Sequence, residues 1–159
     1  MTAATADLDV HLILRRGEEV LFGLRDAEAY GRGQWALPCG KVHPEETAHA
    51  AAVREAAEEL GVALDPSGMR LAHTVQARHG STWHLGVFYE VRSWTGEPAN
   101  REPEKCRGLR WAPLGALPQP LMDYSALGLR GYLDAPGAFT AFDLARDPAT
   151  VPPAGCGRD

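Results

Sequence analysis

The sequence predicts a single α+β layered domain. Three observations carry this. The 159 residues are about one domain's worth. One strongly helical segment lies near the middle of the chain. Strand-patterned runs flank it on both sides, and in so short a chain they must share one folding unit. No repeat and no internal boundary interrupts the pattern.

Leu8 to Leu14 reads as a strand with Asp-Val-His-Leu-Ile-Leu at its heart. Arg16-Gly17-Glu18 is a turn and Glu19 to Arg25 a second strand. Asp26 to Gln34 is polar, carries Gly31 and Gly33, and reads as a loop. Trp35-Ala36-Leu37 is a short extended piece ended by Pro38, and Cys39 to Pro44 is a loop or short strand. Thr47 to Leu60 is the central helix, rich in the strong helix formers Ala and Glu. Glu45 and Glu46 stand near its positive end, and Gly61 supplies the stop. Met69 to Arg78 and Trp83 to Trp94 are strands joined at His79-Gly80-Ser81. Trp94 to Asn100 is a loop, Leu109 to Leu114 the last sheet strand, and Asp123 to Leu133 a second helix.

Composition narrows the function. The 45% hydrophobic content is that of a folded globular chain. Residues 1–7 and 148–159 are expected to be flexible ends around a domain spanning 8–147. The net charge of -5 argues against a partner held mainly by charge, so no nucleic-acid polymer is expected. The N-terminus lacks a secretory pattern, and no apolar run is long enough to cross a bilayer. Cys39, Cys106 and Cys156 are widely spaced and form no CxxC pair. Together these features point to the cytoplasm, with no membrane partner. Whether the chain forms a homodimer is left open.

Projected at about 100° per residue, the central helix puts Ala50, Val53, Ala57 and Leu60 on one stripe, expected to face the core. Glu55, Glu58 and Glu59 fall on the opposite side, with Arg54 one turn before Glu58. Three carboxylates this close repel one another unless water or a cation relieves them. The helix alone reads as readily as a solvated acidic face.

The wider spacing decides the matter. Gly40 is followed by five residues and Glu46, then by seven residues and Arg54-Glu55-Ala56. One further residue leads to Glu58-Glu59, and one more to Gly61-Val62. This segment resembles the Nudix box, with Ala56 where a larger aliphatic residue is usual. Trp35 to Gly40 resembles the lead-in Trp-x-Leu-Pro-Gly-Gly of MutT-like members. Trp94 to Pro98, Glu102 to Cys106 and Leu109 to Trp111 resemble the region after the box. The likeness covers roughly Asp9 to Leu133.

The resemblance implies a Nudix-type α/β/α sandwich with a mixed central sheet. It implies divalent metal, Mg2+ or Mn2+, held by Glu55, Glu58, Glu59 and Glu102 and by the carbonyl of Cys39. Cys39 departs from the usual Gly but keeps that carbonyl, and its thiol suits Mg2+ poorly. Arg54 would orient a box carboxylate, and Glu46 would support the start of the helix. Gly40 and Gly61 would set backbone geometry. Glu59 or Glu102 would serve as the base, with Glu104 the rival of Glu102. The implied reaction is hydrolysis of a nucleoside diphosphate linked to X. A nucleoside triphosphate comes first, giving NMP and pyrophosphate. ADP-ribose or a nucleotide sugar is the alternative substrate, and a non-catalytic nucleotide sensor the alternative role. Leu71 to His79 lacks the proline of many ADP-ribose hydrolases, and the coenzyme A signature is incomplete around Leu24 to Arg32.

Trp35, Tyr30 and Trp83 are candidates for stacking on a base, and Arg25, Arg32 and Arg78 for holding phosphates. Gln119 or Asp123 could read the base. His43, His73, His79 and His84 have no regular ligand spacing and read as surface or packing residues.

Overall fold

The computed structural model describes residues 2–26 and 31–143. The expected C-terminal tail 148–159, Tyr30 and Cys156 lie outside the described residues. The strands are β1 (Ala6–Arg16), β2 (Glu19–Arg25), β3 (Trp35–Ala36), β4 (Cys39–Lys41), β5 (Met69–His79), β6 (Thr82–Val91), β7 (Cys106–Pro113) and β8 (Phe139–Asp143). The helices are α1 (Ala48–Glu55), which a π turn continues through Ala56–Leu60, and α2 (Asp123–Asp134).

The sheet runs β3-β2-β1-β6-β5-β8, with β4 paired to β1 and β7 paired to β2. β1 with β6 and β5 with β8 are parallel, and the other pairs are antiparallel, so the sheet is mixed as the resemblance implied. Alternation along β1 serves two cores. Val10, Leu12 and Leu14 pack with Ala51, Ala52, Ala56 and Leu60 of the first helical layer. Ile13 packs on the other side with Phe22, Val75, Phe88, Leu127 and Leu129. One helix on each face completes an α/β/α sandwich.

Several elements differ from the sequence reading. β1 begins two residues early, and Lys41 Nζ holds Asp7 of that strand at 2.7 Å. β6 ends at Val91 rather than Trp94, and β7 begins at Cys106 rather than Leu109. β8 has no counterpart in the sequence reading. It pairs with β5 after a helical crossover, a distant parallel partnership that local pattern does not announce.

The central helix is also turned from its projected orientation. Ala51, Ala52, Ala56 and Leu60 are buried, Val53 is partly so, and Ala50 and Ala57 are exposed. Alanine on every side gives the helix no apolar stripe strong enough to fix its rotation. Its polar anchor fixes it instead, drawing Glu55 down to 8% exposure.

Thr47 caps α1, its Oγ1 accepting from Ala50 N at 3.1 Å. Thr47→Ala is expected to cost about 1 kcal/mol of stability. Urea unfolding would read this as a lower midpoint with an unchanged slope.

Candidate active site

Glu55 reaches the backbone of β4. A Cβ added at Gly40 would lie 1.9 Å from Glu55 Oε1, so only glycine admits this carboxylate. Arg54 gathers the acids around it. Its Nη2 and Nε donate to Glu46 at 2.6 and 3.1 Å, and its Nη1 to Glu55 at 2.7 Å and Glu58 at 3.2 Å. Nη2 also donates to the Lys41 carbonyl at 3.0 Å, tying the helix to β4. Glu46 accepts in addition from His43 N at 2.9 Å. The Arg54 hydrogen bonds, with that backbone donor, hold Glu46 down to about 2.

The π turn follows at Ala56–Leu60. It advances each residue by less than the ~100° of an α-helix, so Glu59 stays close to the line of Glu55. The turn stops at Gly61, with φ 68°, where a Cβ would meet Arg101 Nε at 2.6 Å. Glu59 Oε2 accepts from Cys39 N at 3.2 Å. Pro38 and Val42 make their backbone bonds to β1, so the amide and carbonyl of Cys39 between them face the other way. The Cys39 carbonyl therefore lies on the carboxylate side.

Burial raises Glu59, and the charges of Glu55 and Glu102 raise it further, to about 8. Glu55 is raised too, chiefly by burial and against the pull of Arg54. Glu59 and Glu102 line a cleft with Arg25, Cys39 and Asn100, and Glu55 and Glu58 stand outside its wall. Glu102 is held by Lys105 Nζ at 2.8 Å, while Glu104 is exposed and outside the cleft wall. Among the described residues, no three His, Cys, Asp or Glu side chains already stand as a ligand set. Arg54 occupies Glu55 and Glu58, and the Cys39 amide occupies Glu59. The donors themselves, carboxylates and a carbonyl under mutual repulsion, fit a hard divalent cation.

The other expected site residues part company. Arg25 stands where β2 and β7 slip register, and it lines both the carboxylate cleft and a neighbouring cavity. Arg78 donates two hydrogen bonds to Asp143 of β8, and Trp35 packs against the core of the α2 layer. Neither lines these two cavities. Trp83 lies 5.7 Å beneath the Arg78 guanidinium, and Arg32 pairs with Asp26 at 3.5 Å. Gln119 and Asp123 are likewise absent from the walls, where Met122 and Tyr124 stand instead.

Sequence reasoning missed Asp9, His11 and Tyr124, and it read His84 as a surface or packing residue. All four line the second cavity, of about 390 Å³. The available signal was two polar residues at alternate positions of an otherwise apolar strand, Asp9 and His11. Burial holds the His11 imidazole neutral, down to about 3.

The raised Glu59 has a signed consequence. Unfolded, it ionises near 4.5; folded and metal-free, near 8. Its contribution to stability is therefore full below about 4.5 and is lost as pH rises to about 8. Thermal melts in chelator are expected to show this decline, and Glu59→Gln to flatten it. Added Mg2+ should raise the midpoint more at pH 8 than at pH 5.

Residues 6–129 match the NUDIX domain family. The chain is 32% identical over 120 residues to an 8-oxo-dGDP phosphatase of Mus musculus, covering 74% of this chain and 35% of that protein. It thus spans about a third of that relative's length. It is 30% identical over 95 residues to the 8-oxo-dGTP diphosphatase of Escherichia coli (strain K12), covering 58% of this chain and 70% of that one. The crystal structure of a MutT NUDIX hydrolase from Burkholderia pseudomallei matches with a TM-score of 0.74 at 29% identity, over 80% of this chain and 98% of that one. The matched span holds the glutamate helix, its arginine and both walls of the cleft, and the chain belongs to the Nudix family.

Proposed function

We propose that this chain is a divalent-metal-dependent hydrolase of a nucleoside diphosphate linked to X. A nucleoside triphosphate is the leading substrate, cleaved to NMP and pyrophosphate. One observation carries the reading: Glu59 and Glu102 line one cleft with Cys39, and burial with the charges of Glu55 and Glu102 raises Glu59 there. The names of the two relatives, which act on 8-oxo-dGDP and 8-oxo-dGTP, favour a nucleoside di- or triphosphate over ADP-ribose or a nucleotide sugar.

A divalent cation, Mg2+ or Mn2+, bound by Glu55, Glu58, Glu59, Glu102 and the Cys39 carbonyl would neutralise phosphate oxygens and acidify water. The chain's own groups do the rest. Arg54 holds Glu55 and Glu58 in place through one nitrogen. Glu46, kept ionised, holds Arg54. Arg25 brings positive charge to the cleft wall beside Glu59, where a phosphate would lie. Glu59 or Glu102, both on the cleft wall, would serve as the base that accepts a proton at its carboxylate. No helix among the described residues is long and apolar enough to cross a membrane.

The test is turnover with Mg2+ across nucleoside triphosphates, nucleotide sugars and ADP-ribose, scored by released phosphate or pyrophosphate. Glu58→Gln and Glu59→Gln are each expected to lower kcat by about 100-fold or more while the circular dichroism spectrum persists. Full activity in both would overturn the assignment of these residues. Tight binding of one nucleotide without turnover of any would identify a sensor.

A further inference from the structure

The cavity of about 390 Å³ shares Arg25 and Cys39 with the carboxylate cleft, so a ligand in one abuts a ligand in the other. Its Asp9, His11, His84 and Tyr124 take no part in the chemistry above. His11 in its wall is only 6% exposed, and neither ring nitrogen has a hydrogen-bond partner among the described residues. The ring is held flat between Phe88, 4.3 Å away at 8°, and Tyr124, 5.1 Å away at 29°. A packed core does not keep a buried imidazole unsatisfied without reason. Two residues along the same strand face, Asp9 lines the same cavity. One of its oxygens, Oδ2, meets His84 Nδ1 at 3.1 Å. Tyr124 gives its hydroxyl to the Val75 carbonyl at 2.8 Å and offers the cavity only its ring. Lys41 at the rim is tied to Asp7.

We propose that this cavity receives the nucleobase of the substrate, and that Asp9 and His11 select bases carrying an exocyclic amino group over uracil and thymine. The proposal rests on the nucleotide-hydrolase reading and adds to it the choice of base. Guanine, adenine and cytosine each present an amino group that can donate to the Asp9 carboxylate. The imidazole of His11 then pairs with the neighbouring ring or carbonyl position, since neutral histidine both gives and takes one hydrogen bond. Uracil and thymine present two carbonyls about a single N–H and would set an oxygen against the carboxylate. The size of the cavity is that of an ordinary small-molecule site.

Binding without metal separates this inference from catalysis. GMP, CMP and UMP are titrated into the chelator-treated protein, with heat and the His11 ring resonances followed. GMP and CMP are expected to bind at least about tenfold more tightly than UMP, the effect of one buried hydrogen bond made or lost. The His11 signals should shift with GMP and CMP. His11→Phe keeps the ring stack, removes both nitrogens and should bring the ratio to within about threefold. Asp9→Asn replaces one acceptor oxygen with an NH2 donor and should move the preference toward UMP. The Asn variant and the wild-type series decide the matter if the Phe variant does not fold. Equal binding of the three nucleotides, no binding of any, or an unchanged ratio in a folded variant overturns the proposal. Base-selective binding in a chain that turns over nothing would sink the hydrolase reading and leave this one standing. Turnover without selectivity would do the reverse.

Discussion

Arg54 is the charge on which the site is assembled. A helix bearing Glu55, Glu58 and Glu59 within two turns would repel itself and turn its acids to water. The guanidinium reaches Glu46 before the helix, Glu55 and Glu58 on it, and the Lys41 carbonyl of β4 beneath it. Its planar fork of donors is what allows one side chain to meet so many oxygens, and a lysine could not replace it. The helix consequently rotates until Glu55 is buried over Gly40, a rotation its alanines neither require nor resist.

That anchor leaves Glu59 in a different condition from its neighbours. It receives a backbone hydrogen bond from Cys39, and it faces the charges of Glu55 and Glu102. The same helix thus carries a carboxylate line that is held firmly at one end and only partly relieved, by the Cys39 amide and the charge of Arg25, at the other. The divalent cation proposed for this cleft would supply the missing relief.

The arrangement was legible in the sequence where spacing encodes backbone geometry. Gly40, Glu46, Arg54, Glu55 and Gly61 each answer to a local requirement: a close approach, a guanidinium partner, a left-handed stop. The helix rotation was not legible, because Ala50 and Ala57 are as apolar as Ala51 and Ala56. Nor were β8 and the Arg78–Asp143 pair, which depend on a parallel strand partnership 65 residues apart. The second cavity escaped for a similar reason. Met122 and Tyr124 come to it from the start of α2, and only the folded sheet brings them opposite Asp9 and His11.

The alternation along β1 has a consequence for how such a protein can diversify. Val10, Leu12 and Leu14 look toward the glutamate helix, while Asp9 and His11 look into the other cavity. A substitution at Asp9 or His11 rewrites the wall of that cavity and leaves the floor under the helix untouched. A slip of one residue would exchange the two sets and ruin both layers. The strand therefore tolerates changes of side chain far better than changes of length. Descendants of one ancestral chain could change that wall position by position while inheriting the same glutamate-helix architecture intact.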